Sequence, residues 1–222
     1  MPAPPVGRLE AVLLDMDGTL VETESIWFAA EQEVVAELGG TWLPSHQELF
    51  VGGPLDRMIT HMIALTSSAR SDAEVHALLT EVMVRRLKEG PVPWMPGARE
   101  LVDDLNRRGV PVALVSASLR AMVEAVTEHI GAEHFGAIVA GDDVAHSKPA
   151  PDPYLRAAAL LGVDPTRCVA VEDSPTGLAS ARAAGCTVLA VPSLRSLEPG
   201  EGIHLRSTLA GTTAADLAVL LG

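Results

Sequence analysis

Short apolar runs alternate with amphipathic helical patterns through most of the chain, and this alternation constrains the fold more than any other feature. The apolar runs lie at residues 11–14, 112–115, 137–140, 168–171 and 187–191. The helical patterns lie at residues 100–108, 119–129, 153–161, 176–184 and 214–221. A strand that is apolar on both sides is typical of a parallel sheet covered on both faces. The order therefore predicts an α/β fold, with a parallel sheet between two layers of helices.

Glycines and capping residues define the ends of these helices. Gly109, Gly162 and Gly185 follow three of the helical patterns, where glycine commonly ends a helix. Ser118 and Asp152 precede two others and are predicted to be N-caps, because their side-chain oxygens can accept hydrogen bonds from the first backbone N–H groups.

The first apolar run ends in two carboxylates, Asp15 and Asp17, followed by Gly18 and Thr19. Ligands of open α/β sheets bind at the carboxyl ends of the strands. Residues two apart on a strand point to the same side, with Cα atoms roughly 6.6 Å apart. One carboxylate can therefore attack a substrate or bind a metal while the other transfers protons.

Three later strands also end in polar groups. Ser116 and the backbone N–H of Ala117 follow the second strand and open a helix, which is a ready site for an anion. Lys148 follows the third strand, and the pair Glu172 and Asp173 ends the fourth. Carboxylate oxygens suit Mg²⁺, although this last pair could also cap the following helix.

Residues 24–89 interrupt the alternation and look purely helical. Three apolar stripes recur there at helical spacing, and the first helix stops at Gly39-Gly40. A stretch rich in proline and glycine at 90–97 then reads as a linker.

Together these motifs resemble the haloacid dehalogenase-like superfamily. The residues that carry the resemblance are Asp15-Met16-Asp17-Gly18-Thr19, Ser116, Lys148 and Glu172-Asp173. The segments 147–153 and 171–177 are especially similar to its β-phosphoglucomutase and sugar-phosphatase branch. The resemblance implies a Rossmann-like three-layer core at 1–20 and 95–222. It also implies an all-helical cap domain with its hinges inserted at 21–94.

The resemblance also implies a mechanism for a Mg²⁺-dependent phosphatase. Asp15 would be the nucleophile that forms an aspartyl-phosphate, and Asp17 the general acid and then general base. Ser116, Ala117 and Lys148 would hold the phosphoryl group. Mg²⁺ would be held by Asp15, the backbone carbonyl of Asp17 and Asp173, with Glu172 near or within its coordination sphere.

Trp27 is the candidate substrate contact of the cap, with a place in the cap core as the alternative. Mutases of this branch usually carry a histidine at about this position, so Trp27 favours a phosphatase over a phosphosugar mutase, which stays the alternative. A carbon–halogen hydrolase lacks the second aspartate, which Asp17 supplies here. A non-catalytic binding module is the alternative of a different class, and the intact set of polar groups argues against it.

Composition limits the partners. A formal charge of −13 and a pI near 4.9 argue against nucleic acid and anionic membranes, but a bound metal still permits a phosphate substrate. No apolar run is long enough to span a membrane, and residues 1–5 lack the pattern of a signal peptide. We expect a cytoplasmic monomer or small homo-oligomer acting on a small phosphorylated metabolite. Its two cysteines, Cys168 and Cys186, are expected to be buried apolar residues.

Overall fold

The protein forms two compact units in a computed structural model that describes residues 9–50, 53, 55–193, 197, 200 and 202–222. The first unit comprises Met1–Glu22 and Pro93–Gly222, and the second comprises Thr23–Val92. The chain therefore leaves the first unit after β1 and returns to it before α5.

A parallel sheet of six strands, counted over the described residues, is the centre of the first unit. The strands are β1 (Ala11–Leu14), β2 (Val112–Val115), β3 (Ala137–Val139), β4 (Cys168–Glu172), β5 (Thr187–Ala190) and β6 (Ile203–Leu205). Their spatial order is β3-β2-β1-β4-β5-β6, and every neighbouring pair is parallel. Leu14, the last residue of β1, lies opposite Leu114 on one side and Val171 on the other, so β1, β2 and β4 end within one residue of one another.

Helices cover this sheet, as the alternation predicts. They are α5 (Ala98–Arg107), α6 (Arg120–Ile130), α7 (Asp152–Leu161), α8 (Pro175–Ala183) and α9 (Ala214–Val219). Helices α7 and α8 pack on each other and on the sheet, in a core that includes Leu13, Tyr154 and Leu178. Side chains alternate along a strand, and the intervening Val12 and Leu14 are buried as well. The predicted α/β class and parallel sheet are confirmed.

Two predicted N-caps are wrong. Leu119, and not Ser118, precedes α6, which has no side-chain cap. Asp152 lies inside the first turn of α7, and Pro151 takes the cap position without a side-chain hydrogen bond. In contrast, Ser174 caps α8 by accepting a hydrogen bond from the N–H of Gly177.

The second unit is helical throughout its regular elements. They are α1 (Glu24–Glu37), α2 (Pro44–Phe50), α3 (Leu55–Thr66) and α4 (Asp72–Glu89). Helix α1 packs against α4 through buried residues such as Val34 and Leu79. The carboxylate of Glu31 is buried there and accepts a hydrogen bond from Trp42 Nε1 at 2.8 Å.

Two further expectations concern the cysteines and the apolar segments of the chain. Cys168 and Cys186 are buried free thiols, as predicted, and burial raises the pKa of each to about 12. Among the described residues, no helix has both the length and the apolar character needed to cross a membrane.

Candidate active site

The central strand β1 delivers the first predicted site residue. Asp15 follows the last residue of β1, and its backbone N–H donates a hydrogen bond to Val171 O of β4. The loop then turns at Gly18, whose φ is +79°. A Cβ at this glycine would lie 2.2 Å from Asp173 Oδ2. The Gly18 backbone therefore passes directly beside a carboxylate from β4, and only glycine fits there without displacement.

Lys148 joins Asp15 to the fourth strand. Its Nζ lies 2.6 Å from Asp15 Oδ1, 2.6 Å from Glu172 Oε1 and 2.8 Å from Val115 O. Its side chain is 3% exposed. An ammonium group has three hydrogens, so these three acceptors use its full donor capacity.

The electrostatics of the site reflect burial among several carboxylates. Burial raises the pKa of Asp15 well above its usual range, the charge of Glu172 adds to the rise, and the ammonium of Lys148 opposes it. Burial alone would lower the pKa of Lys148, but the charges of Asp15 and Glu172 outweigh it and raise that pKa. Burial also raises the pKa of Asp173 to about 7, against a hydrogen bond from Ser193. The site therefore gathers more carboxyl groups than one lysine can keep ionised.

Asp17 is held differently, by hydroxyl groups from the loop after β2. Ser118 Oγ donates to Asp17 Oδ2 at 2.8 Å, and Ser116 Oγ lies 3.4 Å from the same oxygen. Ser116 Oγ also accepts the backbone N–H of Ser118 at 2.9 Å. Sequence reasoning missed this use of Ser118 because it assigned the hydroxyl to a helix cap. The two aspartates thus have different partners: Asp15 contacts the ammonium of Lys148, and Asp17 accepts from serine hydroxyls.

The predicted phosphate-binding residues lie at the same edge of the sheet. Ser116 is fully buried after β2, and Ala117 is exposed beside it. Lys148 lies at the junction of β1, β2 and β4, engaged by protein oxygens. Their contact with phosphate stays a prediction.

An acidic cluster suits a hard cation. Ligand oxygens of Asp15, Glu172 and Asp173 all lie within 4.8 Å of one another. Carboxylate oxygens are the donor set that Mg²⁺ prefers, and a cation here would favour the ionised form of these crowded carboxyl groups, so the residues present fit the metal. The side chain of Asp17 lies outside this cluster.

The two acids at the end of β4 each have a hydroxyl partner that sequence reasoning did not identify. Tyr154 donates to Glu172 Oε1 at 2.5 Å, and Ser193 donates to Asp173 Oδ2 at 2.5 Å. Ser174 Oγ also lies 3.3 Å from Glu172 Oε2. Tyr154 gave one weak signal: it is the single tyrosine of the chain and lies in helix α7 just after the motif that contains Lys148.

Trp27 belongs to the second unit, in the first turns of α1, where it is half-buried. The fully buried residues of that helix begin at Ala30. Trp27 is therefore not among the most buried side chains of its unit.

The match to a protein-family model decides the family. The model of the haloacid dehalogenase-like hydrolases matches residues 9–185. The chain belongs to this family. The resemblance seen in the motifs is confirmed, and the chain is a hydrolase by family.

Named relatives agree with this membership. Protein CbbY of Rhodobacter capsulatus is 40% identical over 197 residues, covering 84% of this chain and 86% of that protein. Fructose-1-phosphate phosphatase YqaB of Escherichia coli K12 is 36% identical over 181 residues, or 80% of this chain and 94% of that protein. A crystal structure of mutant CbbY from Rhodobacter sphaeroides in complex with xylulose-(1,5)bisphosphate has a TM-score of 0.83 at 32% identity. It covers 94% of this chain and 99% of that one.

Proposed function

We propose that the protein is a Mg²⁺-dependent phosphatase that hydrolyses the phosphate ester of a small sugar phosphate through an aspartyl-phosphate on Asp15. The observation that carries the proposal is the contrast between the two aspartates. Asp15 is buried against the ammonium of Lys148, while Asp17 accepts a hydrogen bond from Ser118. A relative that is named as a fructose-1-phosphate phosphatase, and a homologous structure with a bound sugar bisphosphate, support this substrate class.

The reaction proceeds in two displacements. In the first, an Asp15 carboxylate oxygen attacks phosphorus, the bond from phosphorus to the sugar oxygen breaks, and protonated Asp17 gives its proton to the leaving oxygen. In the second, Asp17 takes a proton from water as that water attacks the phosphoryl group. The bond from phosphorus to Asp15 breaks, phosphate leaves and the carboxylate is restored. Ser116 and the backbone N–H of Ala117 hold phosphoryl oxygens.

Lys148 keeps the nucleophile oriented and supplies positive charge beside it. Asp15, Asp173 and the Asp17 carbonyl would hold the Mg²⁺, with Glu172 beside them. When bound, the ion offsets the repulsion between the acidic site and an anionic phosphate.

The second unit is proposed to act as the cap that selects the leaving group, with Trp27 as its substrate contact. Trp27→Ala should then raise KM for some sugar phosphates and not for others, while Trp27→Phe should keep most of the wild-type preference. An unchanged substrate profile in Trp27→Ala would assign this residue to packing alone.

The test is phosphate release from a panel of sugar phosphates with MgCl₂, combined with rapid-quench trapping of the phosphoenzyme. Asp15→Asn should abolish both turnover and trapped phosphoenzyme, while Asp103→Asn, which changes an exposed carboxylate of α5, should retain both. Turnover of Asp15→Asn near the wild-type rate would refute the assignment of the nucleophile. Conversion to an isomeric phosphosugar without net phosphate release would instead support the mutase.

A further inference from the structure

Tyr154 connects helix α7 to the nucleophile through a chain of buried contacts. Its hydroxyl donates to Glu172 Oε1 at 2.5 Å, and the same oxygen lies 2.6 Å from Lys148 Nζ. Lys148 in turn contacts Asp15 Oδ1 at 2.6 Å. Tyr154 and Glu172 are both fully buried.

Glu172 is enclosed on its other side as well. A Cβ at Gly177 would lie 1.9 Å from Glu172 Oε2, so the start of α8 lies directly against that oxygen. Ser174 Oγ lies 3.3 Å from the same atom. The carboxylate therefore has one oxygen fixed against α8 and the other shared between a phenol and an ammonium.

We propose that Tyr154 is a positioning residue, whose phenol fixes Glu172 so that the ammonium of Lys148 stays directed at Asp15. This inference rests on the proposed function, in which Asp15 is the nucleophile. Without the phenol, Oε1 would lose its neutral donor. Glu172 and Lys148 could then rotate together as an ion pair, away from the geometry that orients Asp15.

Two substitutions separate this role from packing. Tyr154→Phe removes only the hydroxyl and leaves the ring, whose centroid lies 5.2 Å from Lys148 Nζ. Tyr154→Leu removes the ring as well. We expect Tyr154→Phe to lower kcat about tenfold, with KM within about twofold of wild type, because a lost hydrogen bond to a charged group commonly has an effect of this size.

The control variant is Thr127→Val, which deletes another buried hydroxyl. Thr127 Oγ1 donates to Glu124 O within α6, apart from the chain of contacts at the site. Thr127→Val should leave kcat within about twofold of wild type. Equal losses of kcat in Tyr154→Phe and Thr127→Val would reduce the role of Tyr154 to stability and overturn the proposal, as would an unchanged kcat in Tyr154→Phe.

A measurement without turnover completes the test. Tyr154 is the single tyrosine of the chain, so ¹³Cζ-labelled tyrosine gives one NMR signal. Glu172→Gln should move that signal, because the phenol loses a charged acceptor, and Thr127→Val should not. A signal that stays in place in Glu172→Gln would overturn the proposal. If the wild-type protein released no phosphate, the proposed function would fail, yet the NMR signal would still report on the hydrogen bond.

Discussion

Gly18 is a residue of the active-site loop whose backbone passes directly beside the acidic cluster. Its φ of +79° lies in the left-handed region, which costs a residue with a side chain roughly 1–2 kcal/mol. The absent side chain also leaves room for Asp173 Oδ2, which a Cβ would approach to 2.2 Å. Two separate requirements, conformation and space, therefore meet at this position.

Gly18→Ala should lower the free energy of unfolding and also weaken the response to Mg²⁺, because Asp173 must move. Gly109→Ala is the matched control, since Gly109 has a similar φ of +70° with no heavy atom within 4 Å of the added Cβ. The Gly109→Ala variant should lose roughly 1–2 kcal/mol of its free energy of unfolding and respond to Mg²⁺ as the wild type does. Denaturant unfolding and a Mg²⁺ titration of activity measure the two effects. Equal Mg²⁺ titrations in both variants would contradict the role assigned to Gly18.

Glu31 links the stability of the helical unit to pH. Burial raises its pKa from 4.5 to about 7, although a hydrogen bond from Trp42 opposes the rise. Between these two pH values, the Glu31 carboxyl is therefore mostly protonated in the folded protein and mostly ionised in the unfolded chain. The free energy of unfolding should fall as the pH rises from about 4.5 to about 7, by up to about 3 kcal/mol.

Glu31→Gln should remove this pH dependence, because an amide does not titrate in this range. Its oxygen can still accept the Trp42 hydrogen bond, so the contact is kept. Unfolding by denaturant at pH 5 and pH 8 measures the effect. The variant should equal wild type at pH 5 and exceed it at pH 8. The same difference at both pH values would show that Glu31 does not titrate between them.

At the scale of an element, one residue at the N-terminus of α8, Ser174, both caps the helix and contacts Glu172 of the candidate active site. Ser174 Oγ accepts the N–H of Gly177 at 3.0 Å and lies 3.3 Å from Glu172 Oε2. Ser174→Ala should cost about 1 kcal/mol of stability through the lost cap, and also lower kcat, because Glu172 loses a partner.

Thr213→Ala is the control for this helix cap. Thr213 caps α9 with the same kind of hydrogen bond, to the N–H of Asp216. Its loss should reduce stability by a similar amount and leave kcat unchanged. Unfolding curves and steady-state kinetics of both variants decide between the two roles. A lower kcat in Thr213→Ala as well would indicate that any loss of stability slows this protein.

The elements differ in how far the sequence predicts them. Strands β1 and β2 are apolar throughout and β4 is apolar up to Glu172, and all three are fully buried, so their pattern identifies them directly. Helix α2 (Pro44–Phe50) buries none of its residues, and β6 (Ile203–Leu205) is a short edge strand with two exposed residues, so neither has a periodic apolar signal. Ser118 misled the cap prediction because a distant carboxylate, Asp17, binds its hydroxyl.

At the scale of the whole molecule, the parallel sheet brings the predicted site residues together. Parallel strands carry Asp15, Ser116 and Asp173 to one edge, so their proximity follows from the predicted sheet. Tyr154 and Ser193 could not be predicted in this way. Their contacts depend on how α7 packs under the sheet and on the path of the loop after β5, and local patterns specify neither.

The same sheet edge concentrates negative charge in a protein with a formal charge of −13, so a divalent cation should stabilise the whole fold. At a Mg²⁺ concentration a hundredfold above Kd, binding to the folded state adds about 2.7 kcal/mol. For a chain of this size that raises Tm by roughly 5–10 °C.

Asp173→Asn tests the origin of this stabilisation. Burial near Glu172 raises the pKa of Asp173 to about 7, so its charge is unfavourable in the metal-free protein. The variant should therefore melt above wild type without metal and gain little from MgCl₂. Thermal melts with MgCl₂, against NaCl at equal ionic strength, separate specific binding from screening. An equal gain in wild type and Asp173→Asn would place the stabilising ion away from the acidic cluster. A gain in wild type alone would assign that ion to the cluster that Asp15, Glu172 and Asp173 form.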